Sequence, residues 1–94
     1  MSTVAKLLKS GTPLVDVRTE EEFKNGHVDG AVNIPLNKIP DRINELKKLG
    51  EPLVFCCMSG GRSDQAVRYL KQNGFNNVHN VGGWQDAKHI KYSL

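Results

Sequence analysis

Apolar residues along the chain follow two alternating spacings. Short runs rich in apolar residues occur at 14–17, 31–34, 53–57 and 78–81, whereas the stretches between them carry apolar residues every three or four positions. Runs of the first kind are typical of strands, and the second spacing is typical of amphipathic helices. The alternation predicts an α/β fold with a mainly parallel sheet of four strands, or five if the extreme N-terminus pairs, and helices on both faces.

Capping residues, glycines and prolines mark where the helices begin and end. Thr19 followed three residues later by Glu22 forms a capping box, which places a helix start between the first two strands. Ser63 is a candidate N-cap for a helix that runs to residue 73. We therefore predict helices at residues 3–10, 20–25, 36–49 and 64–73, and a final short helix after the Gly-Gly-Trp at 82–84.

Length and charge restrict the class of protein. The 94 residues, 38% of them hydrophobic, predict one domain over residues 1–94. The longest apolar run is far shorter than the roughly 20 residues needed to span a bilayer, and no signal segment is visible at the start, so we expect a cytoplasmic protein without membrane contact. The net charge of +3 comes from scattered basic residues, which gives no stripe typical of nucleic-acid binding.

The two cysteines, Cys56 and Cys57, are adjacent in sequence. A bridge between neighbours would be strained, so a disulfide framework is excluded. Three separated histidines and one cysteine pair do not make a zinc site, and we predict neither a metal nor a cofactor. We infer that at least one of these thiols is chemically reactive.

The candidate chemistry lies in the loop at residues 57–63, Cys-Met-Ser-Gly-Gly-Arg-Ser, which follows the apolar strand 53–56. Ligands of open α/β sheets bind at such strand ends. Glycines at 60 and 61 leave backbone N–H groups uncovered, and the following helix start and Arg62 add positive charge. A cysteine in such an anion cradle is expected to be a thiolate at neutral pH, which makes Cys57 the candidate nucleophile. Its candidate substrate-binding residues are Met58, Ser59, Gly60, Gly61, Arg62 and Ser63.

The loop alone leaves two chemistries open. Counting from Cys56 gives Cys-x5-Arg-Ser, the signature of protein tyrosine phosphatases, whereas counting from Cys57 gives Cys-x4-Arg-Ser. Both use a thiolate in an anion cradle. The alternatives to sulfur transfer are a cysteine-dependent phosphatase or arsenate reductase, which lacks an obvious acid beyond Asp64, and a non-catalytic binding module. The module would have no need of a thiol in this setting.

Three motifs in order over about residues 12–86 resemble the rhodanese family. They are a strand with Asp-x-Arg at 16–18 followed by Gly-His-x-x-Gly-Ala at 26–31, the loop at 57–63, and Gly-Gly-Trp at 82–84. The resemblance implies a five-stranded rhodanese-like sheet and a sulfurtransferase that forms a persulfide on the matched Cys57. In that family a six-residue loop goes with sulfur transfer and a loop one residue longer with phosphatases, which favours Cys57 over Cys56.

The resemblance also implies partners, namely a small anionic sulfur donor such as thiosulfate, a persulfide or a polysulfide, and a thiol or thioredoxin-like acceptor. Met58 stands where thiosulfate-using members often have a basic residue, and the edge strand found ahead of the first helix in many members is expected to be absent or vestigial here. Asp16, Arg18 and His27 are expected to support the site through hydrogen bonds. Cys56 is expected to pack into the core, with a second role as a resolving thiol kept open.

Overall fold

Four parallel strands form a single sheet in this computed structural model, which describes residues 2–93. The strands lie in the order β2-β1-β3-β4, so the two inner strands are β1 and β3. Their bounds are β1 Leu14–Asp16, β2 Val32–Asn33, β3 Leu53–Cys57 and β4 Val78–Gly83. The predicted α/β class is confirmed. The fifth strand that the resemblance implies is absent from the described residues, because the chain is already helical from Thr3.

The helices lie close to the predicted ranges. They are α1 Thr3–Lys9, α2 Glu20–Lys24, α3 Ile43–Leu49, α4 Gly61–Gln72 and α5 Trp84–Tyr92. The predicted helix at 36–49 is a 3-10 helix over Leu36–Arg42 that continues as α3. Pro40, which lies inside the 3-10 segment, has no backbone N–H to donate to an α-helical ladder. None of the helices within residues 2–93 could span a membrane.

Side chains of β3 alternate between two apolar clusters on opposite faces of the sheet. Phe55 and Cys57 pack against residues of the 3-10 helix, α3 and α4, whereas Val54 and Cys56 pack against α1 and α5. Every residue of β3 is buried, as expected for a parallel strand with helices on both sides. The two adjacent cysteines therefore belong to different halves of the core.

Candidate active site

The loop that follows β3 reverses direction through Gly60, which has a left-handed conformation with φ 106° and ψ −12°. This glycine is the N-cap residue of α4, and no side chain caps the helix. The prediction that Ser63 is the cap is wrong: Ser63 is a buried residue in the first turn. A residue without a Cβ adopts the left-handed conformation at little cost, which lets the helix begin three residues earlier than expected.

Cys57 lies at the base of this loop with its sulfur facing backbone donors. The N–H of Gly60 donates to Cys57 Sγ over 3.0 Å, and the hydroxyl of Ser63 lies 3.4 Å from the same sulfur. Burial raises the pKa of the Cys57 thiol, but hydrogen bonds from the side chain and backbone of Ser63 and from the backbone of Ser59 and Gly60 outweigh it. The net effect lowers the pKa from 9.0 to about 7. The thiol is thus substantially ionised at neutral pH.

Asn80 on β4 holds the loop in place, and sequence reasoning missed this residue. Its Nδ2 donates to the carbonyl oxygen of Gly60 over 3.0 Å, while its Oδ1 accepts from Ser63 Oγ at 2.7 Å and from the N–H of Gly82 at 2.8 Å. The pairing of β3 with β4 shifts register next to Asn80, since Phe55 pairs with Asn80 and Cys56 pairs with Gly82. This irregularity is a bulge, a feature that often re-aims a side chain beside an active site.

The rest of the loop contacts the end of β4 and solvent. Met58 is 54% exposed, Ser59 is exposed, and a Cβ added at Gly83 would lie 2.9 Å from the carbonyl oxygen of Met58. Only a residue without a side chain permits this approach of β4 to the loop. Close packing thus accounts for the second glycine of the Gly-Gly-Trp motif.

Arg62 points toward helix α2 and forms an ion pair there. Its Nη1 donates to Glu22 Oε1 over 2.7 Å and its Nη2 donates to Glu22 Oε2 over 3.0 Å. The hydrogen bond from Arg62 is the main cause that lowers the pKa of Glu22 to about 2. Glu22 also completes the predicted capping box with Thr19, which the structure confirms. Binding of an anionic donor by Arg62 stays a prediction.

Asp16 and Arg18 form a buried ion pair at the end of β1. The Arg18 guanidinium donates to Asp16 through Nε at 3.0 Å and through Nη2 at 2.8 Å, and Nη2 also donates to the carbonyl oxygen of Gly26 over 2.7 Å. The guanidinium carbon lies 4.6 Å from the centre of the Trp84 ring, a distance suited to a cation–π contact. These contacts support the bracing role expected of both residues.

His27 contacts Phe23, which lies four residues earlier in the chain. Its Nδ1 lies 2.7 Å from the carbonyl oxygen of Phe23, and the two rings stack with centroids 3.8 Å apart. These contacts support the structural role expected from the sequence.

Cys56 has none of the features of a nucleophile. It is fully buried, and burial raises the pKa of its thiol further above the ordinary value. The phosphatase interpretation counted from Cys56 therefore has no ionised thiol to use. Asp64, the only acid considered for that chemistry, pairs with Arg68 at 2.9 Å on the surface of α4.

Comparison with known proteins agrees with this geometry. A family model described as the rhodanese-like domain matches residues 1–89. This chain belongs to the rhodanese family. The resemblance stated from the three sequence motifs is therefore confirmed.

Several curated relatives of this chain carry names that refer to sulfur chemistry. The chain is 43% identical over 68 residues to the putative sulfur carrier protein YrkF of Bacillus subtilis, covering 72% of this chain and 36% of that protein. It is 40% identical to a sulfurtransferase of Allochromatium vinosum, covering 74% and 64%, and 36% identical to the thiosulfate sulfurtransferase PspE of Escherichia coli, covering 77% and 70%. The chain thus spans about a third of the first relative and about two thirds of the other two.

Solved structures show the same fold. A crystal structure of SSP1007 from Staphylococcus saprophyticus aligns with a TM-score of 0.76 at 38% identity, covering 95% of this chain and 92% of that one. A rhodanese with anions from Escherichia coli aligns with a TM-score of 0.71 at 35% identity, covering 79% and 88%. Sulfur transfer is therefore supported at the level of the family.

The candidate site brings together the loop residues, and two contacts across it had no clear local signal in the sequence. Glu22 and Asn80 lie 40 and 20 residues from their partners Arg62 and Gly60. The capping box already accounted for Glu22, and Asn80 lies in a short run predicted as a strand. Neither position therefore indicated a contact with the loop. An Asn two residues before the Gly-Gly pair was the one available hint, because an amide side chain offers both a donor and an acceptor.

Proposed function

We propose that this protein is a sulfurtransferase that carries a sulfane sulfur as a persulfide on Cys57. The observation that carries the proposal is the position of Cys57 Sγ, 3.0 Å from the N–H of Gly60 in a loop whose hydrogen bonds lower the pKa of the thiol to about 7. A thiolate is the reactive form of cysteine, and the N–H groups that stabilise it are suited to holding a second, negatively charged sulfur.

The reaction proceeds by two displacements on sulfur. In the first, the Cys57 thiolate attacks the outer sulfur of the donor; a bond from Sγ to that sulfur forms, the donor's own bond to it breaks, and the leaving group departs with the electron pair. With thiosulfate the products are the Cys57 persulfide anion and sulfite. In the second, a thiol acceptor takes the outer sulfur and the Cys57 thiolate is restored.

The partners are proposed from the chemistry of the site and from the names of relatives. A small anionic sulfane donor fits a loop of N–H groups with a helix N-terminus behind it. Exposed Met58 and Ser59 leave the loop open to a small thiol or a thioredoxin-like protein as acceptor. A cytoplasmic location remains a prediction from the sequence.

Mass spectrometry after treatment with a sulfane donor tests the proposal. We expect a gain of one sulfur atom on Cys57 that dithiothreitol reverses, and no gain in the Cys57→Ser variant. The Cys56→Ala variant is the matched control and is expected to load normally, because Cys56 is buried on the other face of the sheet. Full transfer activity in Cys57→Ser, or hydrolysis of an aryl phosphate without any sulfur loading, would contradict the proposal.

A further inference from the structure

Two cations on the α2 side of the loop, Arg62 and Lys38, are paired with carboxylates. Arg62 is held by Glu22 through two short hydrogen bonds, and Lys38 on the 3-10 helix pairs with Glu20 at 3.0 Å. Arg62 and Glu22 are both partly exposed, with 34% and 29% of their side chains accessible. A donor that approaches Cys57 from this side therefore meets a neutral pair where the loop sequence alone would place a free guanidinium.

The cavity beside Arg62 has no other charged side chain in its lining. A cavity of about 280 Å³ is lined there by Val17, Thr19, Pro35, Leu36, Asn37 and Arg62. All of these side chains except Arg62 are neutral, and Val17, Pro35 and Leu36 are apolar. A wall of this composition suits the organic part of a donor better than a small, strongly hydrated dianion.

We propose that Glu22 is a specificity-determining residue that, by neutralising Arg62, favours sulfane donors with one negative charge and an organic group, such as alkyl persulfides and thiosulfonates, over dianionic thiosulfate. This inference rests on the proposed sulfurtransferase function. The backbone N–H groups and the N-terminus of α4 together supply only a partial positive charge, which is enough for a monoanion. A dianion would need the full charge of Arg62, but the ion pair with Glu22 neutralises that charge.

Two donors of matched chemistry isolate the charge. Thiosulfate and methanethiosulfonate both present a terminal sulfur bonded to an oxidised sulfur. Thiosulfate carries two negative charges, whereas methanethiosulfonate carries one. Attack by the Cys57 thiolate forms the same persulfide anion from each, while the breaking bond releases sulfite from the first and methanesulfinate from the second. Charge is conserved in both reactions, and neither requires an added oxidant or reductant.

The experiment compares rate constants for sulfur loading of Cys57 by the two donors, followed by quenched mass spectrometry. In Glu22→Gln we expect loading by thiosulfate to rise roughly fivefold relative to loading by methanethiosulfonate, because a freed guanidinium at the protein surface attracts a dianion more strongly than a monoanion. Glutamine retains the acceptor that the capping box uses, so the fold should be preserved. Circular dichroism of the variant checks this.

Two controls separate this role from a general change in charge. Glu21→Gln removes the same charge from an exposed neighbour that forms no ion pair within residues 2–93, and it should leave the donor ratio unchanged. In an Arg62→Gln background, Glu22→Gln should no longer alter the ratio. Equal changes for both donors in Glu22→Gln, the same shift in Glu21→Gln, or a shift that persists without Arg62 would each overturn the inference. Failure of both donors to load the wild-type protein would instead contradict the proposed function.

Discussion

The hydroxyl of Ser63 provides a direct test of how the loop ionises Cys57. Ser63→Ala removes a donor that lies 3.4 Å from Cys57 Sγ. A hydrogen bond to a charged group contributes about 1.5–3 kcal/mol. The single proton of this hydroxyl has two other acceptors, Asn80 Oδ1 at 2.7 Å and the carbonyl oxygen of Gly60 at 3.2 Å. Its contribution to the thiolate should therefore be smaller, about 1 kcal/mol.

That energy corresponds to a measurable shift. A loss of about 1.4 kcal/mol raises a pKa by about one, so the pKa of Cys57 should rise from about 7 to just below 8 in Ser63→Ala. The thiolate fraction at pH 7 then falls from about one half to about one sixth. Alkylation of Cys57 by iodoacetamide, followed across pH by peptide mass spectrometry, reports both values, and the rate at pH 7 should drop roughly threefold.

Ser59→Ala is the matched control, because Ser59 lies in the same loop but is exposed, and only its backbone acts on Cys57. Its alkylation profile should coincide with that of the wild type. If Ser63→Ala leaves the profile unchanged, or if both variants shift it equally, the hydroxyl does not stabilise the thiolate and the reasoning fails.

Three further predictions concern stability. Gly60→Ala places a Cβ 3.3 Å from Gly82 Cα at a φ of +106°, and it should lower the free energy of unfolding in urea by about 1–2 kcal/mol. Gly61→Ala is the control: its added Cβ has no atom within 4 Å, so it should not lower the free energy of unfolding. Asp16→Asn leaves the buried Arg18 charge without its partner and should cost about 3–5 kcal/mol in the same assay; a loss below about 1 kcal/mol would contradict the role of the pair. Because folding lowers the pKa of Cys57 from 9.0 to about 7, the stability that ionisation contributes is present above pH 9 and is lost as the pH falls through 7. The unfolding free energy of the wild type should therefore rise between these values relative to Cys57→Ser, and parallel curves would refute it.

Local patterns predicted most of the scaffold. The continuous apolar run at 53–57 indicated a strand covered on both faces, and β3 is buried throughout. Thr19 and Glu22 indicated a helix start, and both capping hydrogen bonds are present. These features depend on residues a few positions apart, so the sequence pattern alone is enough to reveal them.

The site depends on contacts that no local pattern encodes. The start of α4 was misplaced because a serine is a common cap, whereas here the left-handed Gly60 is the N-cap and Ser63 lies in the first turn, where it faces Cys57. The sequence of the loop indicated an unpaired cation at Arg62. In the structure Arg62 forms an ion pair with Glu22, which lies 40 residues earlier in the sequence. Long-range pairs of this kind are set by tertiary packing, which brings α2 and the loop together.

The placement of the two neighbouring thiols on opposite sides of β3 bears on the lifetime of a loaded molecule. A chain with a resolving cysteine discharges itself by attacking its own persulfide, but Cys56 faces the core formed with α1 and α5, and the chain has no third cysteine. If Cys57 carries sulfur as proposed, these 94 residues hold no second thiol that faces it. Under that proposal, release of the sulfur requires a thiol from outside these residues, and we expect its rate to rise with the concentration of that thiol.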